Sequence, residues 1–152
     1  TEAGVLSEAG CPGIADPGAA LAAEAHRQGV RVVPLTGPSS LLLALMGSGM
    51  NGQQFAFLGY LPVERAARQA AIKMLETQAL RASQTQLFIE TPYRNQALFA
   101  DLLATLQPAT RLCIAADLTA ETELLITRSV AEWRKTEPPA LHKRPAVFVV
   151  GM

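Results

Sequence analysis

"GVLSEAGCPGIADPGAALAAEAHRQGVRVVP", residues 4–34, decides the fold. Gly4, Val5, Leu6 and Ser7 read as a short buried strand, and Val30 to Pro34 as a second. Between them Asp16 stands as an N-cap, with Pro17 at the first helical position. Leu21, Ala22 and Ala25 give the helix an apolar stripe, and Gly29 ends it. A strand, a helix and a strand in so short a run make a βαβ unit, whose strands lie parallel with a right-handed crossover. That unit is too small to make a covered parallel sheet alone. The chain also opens at Thr1, only a few residues ahead of the first strand. The expectation is that further strands precede Gly4 and that this is the C-terminal part of a longer protein.

A second pattern follows "LTGPSS" at 35–40, which reads as a hinge and then a helix capped by Ser39 or Ser40. Phe55 to Tyr60 alternates as a strand. Ala67, Ala71, Met74 and Leu75 form one face of a helix, and Thr85 to Thr91 is another strand. A helix after Pro92 carries Leu98, Phe99, Leu102, Leu103 and Leu106 on one side. Arg111 to Ala116 and Leu124 to Arg128 are strands joined by a short turn, so they pair antiparallel. A short helix around Trp133, packing that residue beneath it, and a strand at 146–150 complete the pattern. The predicted class is α/β: the tail of a parallel-sheet first domain at 1–37 and a complete mixed-sheet α/β second domain at 38–152.

Composition narrows the function classes. Of 152 residues, 49% are apolar, enough for a core; 13 basic residues balance 13 acidic ones, so no global field recruits nucleic acid. The most apolar stretch, Leu41 to Met46, is far too short for a bilayer, and no signal-peptide pattern opens the sequence. Cys11 and Cys113 fit neither a zinc nor a redox spacing and suit a reducing compartment. These features predict a soluble cytoplasmic protein without a membrane association. No metal-ligand cluster is visible, and His26 and His142 read as solvated.

The loop "SEAGCPGIADPG" (7–18) is the chemical question. Its glycines fit neither G-x-G-x-x-G nor G-x-x-x-x-G-K-[ST], and Glu8 and Asp16 would repel a phosphate. A ligand with hydroxyls, an amino group or a positive centre suits two carboxylates better. A tight turn plus a helix cap explains Asp16, Pro17 and Gly18 equally well. "ETPYR" at 90–94 ends a strand and opens a helix, where it reads either as an ordinary turn with an Glu90–Arg94 ion pair or as a site. Arg65, Arg68, Lys73 and Arg81 give the third helix a basic character that suits RNA phosphates, but their broad arc fits a solvated face better.

"VLSEAGCPGIADPG", "RVVPLTGPSSLLLAL" and "FIETPYRN", in that order, with "RPAVFVVG" at the end, resemble the tetrapyrrole methylase superfamily. Within it the chain is most similar to the ribosomal small-subunit RNA methyltransferase I branch, ribose 2′-O-methyltransferases. That branch reads S-D-A-G-T-P-x-x-x-D-P-G, P-G-P-S-A and E-S-P-H-R at the matching places. The resemblance covers essentially the whole chain. It implies a two-domain homodimer that binds S-adenosyl-L-methionine in a cleft between domains, with no metal required.

Carried over by position, Glu8, Ala9, Gly10 and Pro12 lie against the methionine and ribose of the cofactor, and Ser39 and Ser40 face it. Leu118 and Ala146 line the adenine pocket. Glu90 and Arg94 orient the substrate, or Glu90 takes a proton from the attacking hydroxyl. Glu8 replaces the branch's aspartate, and Cys11 its threonine, as a small buried hydrophobe rather than a nucleophile. Asp117 and Ala120 stand where the branch has the arginine and lysine of R-E-L-T-K. Methylation of ribosomal RNA ribose is the leading reading; those two lost charges weaken it and lend some support to the second, a corrin or porphyrin precursor methylated at carbon. A non-catalytic binding or dimerisation module is the third reading.

Overall fold

The computed structural model describes residues 2–152. The chain divides into two compact units, one ending at Ser40 and one running from Leu41 to Met152.

In the first unit the expected helix forms as α1 (Ala19–Arg27). Its C-terminus is a Schellman motif: Gly29 at φ 69° donates to the His26 carbonyl at 3.1 Å, and Val30 to the Ala25 carbonyl at 2.9 Å. The N-terminus differs from expectation. Gly18 is the N-cap, no side chain caps the helix, and Asp16 and Pro17 stay in the loop. The two expected strands, at 4–7 and 30–34, do not form either. Extended residues become a strand only beside a hydrogen-bonded neighbour, and these have none among the described residues. Leu6 and Leu35 are accordingly 93% and 87% exposed, and α1 buries no residue.

The second unit follows its expected pattern closely. After α2 (Ser40–Ser48) come β1 (Phe55–Tyr60), α3 (Arg65–Ala82), β2 (Thr85–Ile89) and α4 (Asn95–Thr105). Then follow β3 (Arg111–Ala116), β4 (Leu124–Ser129), the short α5 (Val130–Trp133) and β5 (Ala146–Gly151). The strands form one mixed sheet in the order β1-β2-β5-β3-β4, in which only β1 and β2 are parallel.

Alternation along the central strand β5 builds a core on each face. Phe148 and Val150 join Phe88, Leu112, Ile114, Leu98, Phe99 and Leu102, whereas Val147 and Val149 join Leu87, Cys113, Ala44 and Leu45. Trp133 is buried under α5: its indole donates to the Leu112 carbonyl at 2.8 Å and meets the Phe99 ring edge-on. On the other face, α2 reaches the sheet through Gly47, where an added Cβ would lie 2.2 Å from Leu125 Cδ2.

The buried face of α3 is a correction. It consists of Arg68, Ile72, Leu75, Glu76 and Ala79, and Met74 is 73% exposed. An apolar template misses this stripe because two of its members are charged residues with partners on other elements. Arg68 bonds Asp101 on α4 at 2.5 and 2.8 Å and the Val63 carbonyl at 2.6 Å. Glu76 accepts from the Gln107 amide and the Thr110 hydroxyl. Arg65 also reaches Asp101, at 3.1 Å. Two of the four cations read as a solvated face are therefore tied to one carboxylate, and Arg68 is buried rather than solvated.

Candidate functional site

The glycine-proline loop is shaped by its own backbone. Gly13 donates to the Pro17 carbonyl and Ile14 to the Cys11 carbonyl, both at 3.1 Å. Gly13 and Gly18 have φ of 79° and 145°, and a Cβ on Gly18 would come within 3.1 Å of the Gly13 nitrogen. This fold-back opens a depression of about 740 Å³ lined by Leu6, Ser7, Glu8, Ala9, Asp16 and Leu21, among others. Glu8 and Ala9 thus share one wall system with Asp16. Gly10 and Pro12 belong to the same loop but not to that lining. Cys11 is only partly buried, against expectation, because the loop around it is largely exposed; its thiol donates to the Pro38 carbonyl at 3.3 Å. Ser39 is buried, and Ser40 is exposed at the start of α2.

In the second unit Glu90 and Arg94 are joined. Glu90 follows β2, its side chain is 1% exposed, and its Oε1 accepts from Arg94 Nη2 at 2.9 Å and from the Thr91 amide at 2.7 Å. Its other oxygen, Oε2, is buried with no partner among the described residues. Asn95, unremarked in the sequence reading, is its counterpart. It is fully buried and donates to the Arg144 carbonyl at 2.6 Å, and its Oδ1 also lacks a partner. An unpaired buried acceptor costs on the order of 1–3 kcal/mol, so each of these oxygens lacks a donor it would be stabilised by. The available signal was a polar residue continuing "ETPYR" into the helix.

Leu118 lines a separate, largely apolar depression of about 320 Å³ with Leu43, Met46, Thr119, Glu123 and Leu125. Ala146 is not brought there. It is buried in the core cluster on the α4 side, whereas Leu118 packs on the opposite one. The Leu118 loop carries two non-glycine residues at positive φ, Asp117 at 49° and Thr119 at 72°. Asp117 accepts from Arg144 Nε at 2.7 Å and from the Thr122 hydroxyl at 2.9 Å, and Thr119 donates to Glu123 at 2.6 Å. These bonds hold the strained loop. The bond from Arg144 keeps the Asp117 carboxyl below the ordinary range, outweighing a smaller upward push from desolvation. The acid that replaces an expected arginine is thus already neutralised.

No family model matches the chain. Among curated proteins it is 40% identical over 125 residues to the ribosomal RNA small subunit methyltransferase I of Micromonospora olivasterospora, covering 81% of this chain and 38% of the relative. It is 36% identical over 128 residues to the protein of that name from Vibrio cholerae, covering 84% and 43%. The chain belongs to the tetrapyrrole methylase superfamily. It spans less than half the length of these two superfamily members. Solved structures share the fold. The methyltransferase CobJ has a TM-score of 0.58 at 22% identity over 93% of this chain and 61% of its own. Diphthine synthase has 0.64 at 17% identity over 93% and 56%.

Among the described residues of this superfamily member, no three His, Cys, Asp or Glu side chains gather as a metal site. No described helix is long and apolar enough to cross a membrane.

Proposed function

We propose that the protein carrying this chain is an S-adenosyl-L-methionine-dependent methyltransferase acting on a ribose 2′-hydroxyl of ribosomal RNA. The observation that carries the reading is the 40% identity over 125 residues to a ribosomal RNA small subunit methyltransferase I. On this reading residues 1–37 end one domain and residues 38–152 form another, in a cytoplasmic homodimer.

The donor sets in each unit fit the cofactor's chemistry. Glu8 and Asp16 form no ion pair among the described residues, and their depression suits hydroxyls and an ammonium group. The Leu118 depression suits an apolar ring edge. Loop residues Gly10 and Pro12, with Ser39 and Ser40, complete the proposed set of the first unit, whereas Ala146, buried in the core on the face opposite Leu118, drops out of the adenine-pocket role. S-adenosylmethionine supplies an activated methyl carbon on a sulfonium, so the protein's task is chiefly alignment, an effect worth up to ~7–11 kcal/mol. Arg94 fixes one oxygen of Glu90. The free oxygen accepts a hydrogen bond from the acceptor hydroxyl, orients it and takes its proton as the oxygen attacks.

The tetrapyrrole alternative rested on the lost charges at 117 and 120. The Asp117–Arg144 pair keeps the acid from repelling a phosphate but restores no cation, and it is the identity to ribosomal RNA small subunit methyltransferase I that favours RNA. The likeness to CobJ speaks for the fold alone.

The test is isothermal titration of S-adenosylhomocysteine into the protein carrying this chain. Saturable binding that weakens in a Glu8→Ala variant is expected. No binding by the unaltered protein overturns the methyltransferase reading, and unchanged affinity in the variant overturns the role of Glu8.

A further inference from the structure

We propose that Tyr93, His142 and Lys143 form a stacking platform for an unpaired RNA base, with Lys143 and Arg94 meeting the adjoining phosphates. The proposal rests on the reading above that the methyl acceptor is RNA, and it deepens that reading by naming a surface and a strand state.

The sequence separates the two halves of this surface by almost fifty residues; the fold stitches them together. Lys143 donates its amide to the Pro92 carbonyl at 3.0 Å, Asn95 donates to the Arg144 carbonyl, and Leu141 donates to Gln96 Oε1 at 3.1 Å. These three bonds fix the 141–144 segment against the start of α4. One consequence is Lys143 at φ 61°, a conformation that non-glycine residues rarely adopt. The held segment brings the His142 ring edge-on to Tyr93, with centroids 5.9 Å apart at 74°. His142 is thus not merely a solvated loop residue.

Tyr93 is 69% exposed, so it contributes little to the core. A T-shaped contact engages at most one face of the Tyr93 ring, and any base can stack on the face left open. Among the described residues, the free charge beside the ring is the Lys143 ammonium. Lys143 and His142 are exposed, and Lys143 has no carboxylate within ion-pair distance among the described residues. The Arg94 side chain is 43% exposed while it holds Glu90. The acids that touch this cluster, Glu90 and Asp117, are each taken by an arginine. An exposed ring beside an uncompensated cation, Lys143, suits a single-stranded polyanion with aromatic bases. It also lies directly beside Glu90, where the acceptor hydroxyl is proposed to bind.

The experiment is fluorescence anisotropy with a fluorescein-labelled single-stranded RNA dodecamer, and with the same strand annealed to its complement. S-adenosylhomocysteine affinity is measured in parallel. Tyr93→Ala should weaken single-strand binding by about 5- to 150-fold, and Tyr93→Phe should restore it, because the ring face is what binds. Lys143→Gly suits the left-handed backbone, so it removes the ammonium without strain. It should flatten the salt dependence of single-strand binding by about 0.7 in log–log slope. S-adenosylhomocysteine affinity should not change in any variant. Wild-type RNA affinity in both Tyr93→Ala and Lys143→Gly overturns the platform, as does an equal loss on duplex RNA. A protein that binds S-adenosylhomocysteine but no RNA overturns the platform and leaves the methyltransferase reading standing. A protein that binds RNA through Tyr93 but no S-adenosylhomocysteine does the reverse.

Discussion

Replacing Glu90 with glutamine separates a ligand role from a structural one. The amide oxygen can keep both bonds now made by Oε1, from the Thr91 amide at 2.7 Å and from Arg94 at 2.9 Å. The substitution puts an NH2 group where the unpartnered Oε2 now lies. Any donor that Oε2 awaits then meets another donor. A hydrogen bond to a charged group contributes roughly 1.5–3 kcal/mol, so kcat/KM for methyl transfer should fall about 10- to 150-fold. Folding should hardly notice. Removing a buried, half-satisfied carboxylate offsets the lost attraction to an Arg94 side chain that is 43% exposed, leaving a change within about 1 kcal/mol. Thermal unfolding and a tritiated methyl-transfer assay on the same preparation read the two quantities. Unaltered kcat/KM would refute the reasoning. A collapse of stability in step with activity would refute it equally, by making Glu90 a scaffold residue.

Three further outcomes test the framework around the site. Asp117 titrates below its ordinary range because Arg144 donates to it, so the folded state binds fewer protons in acid than the unfolded state. That stability is complete above the usual carboxylate pKa of about 3.9 and is lost as pH falls through the lowered folded value. Asp117→Asn, which tolerates the positive φ, should cost about 1.5–3 kcal/mol at pH 7, a difference that shrinks steadily as pH falls below about 3.9 in melting experiments. A constant offset across that range would contradict the pairing. Arg68→Met leaves Asp101 with only Arg65 and should destabilise by about 3–5 kcal/mol in urea unfolding, with Arg68→Met plus Asp101→Leu recovering much of the loss. An unchanged midpoint for Arg68→Met would return that arginine to the solvated face. Gly47→Ala should cost about 1–3 kcal/mol despite the better helix propensity of alanine, because Leu125 occupies the space; a stabilised variant would contradict that packing.

How much was legible in sequence followed from where each residue finds its partner. The strands of the second unit were readable because apolar alternation and turn residues are local, and β1, β3 and β4 begin where the pattern begins. The buried stripe of α3 was not, because Arg68 and Glu76 are buried only through Asp101 and Thr110, on other elements. The first unit read as two strands from apolar content, yet residues 4–7 and 30–34 have no hydrogen-bonded neighbour to make them strands. Asp16 followed the rule for a cap, but Gly18 took that position and left the acid facing the depression with Glu8. Glu90 and Arg94 sit four residues apart and were found as a pair. Asn95 and His142 depend on contacts across almost fifty residues, which no local pattern announces.

The central claim is methyl transfer to RNA at ribose. The direct measurement incubates the protein carrying this chain with tritiated S-adenosylmethionine and unmodified small-subunit ribosomal RNA, then digests the RNA to nucleosides. The account predicts label in a single 2′-O-methylated nucleoside, entering about 10- to 150-fold more slowly in Glu90→Gln. Label on a base, or no label in RNA from a protein that binds S-adenosylhomocysteine, would contradict it.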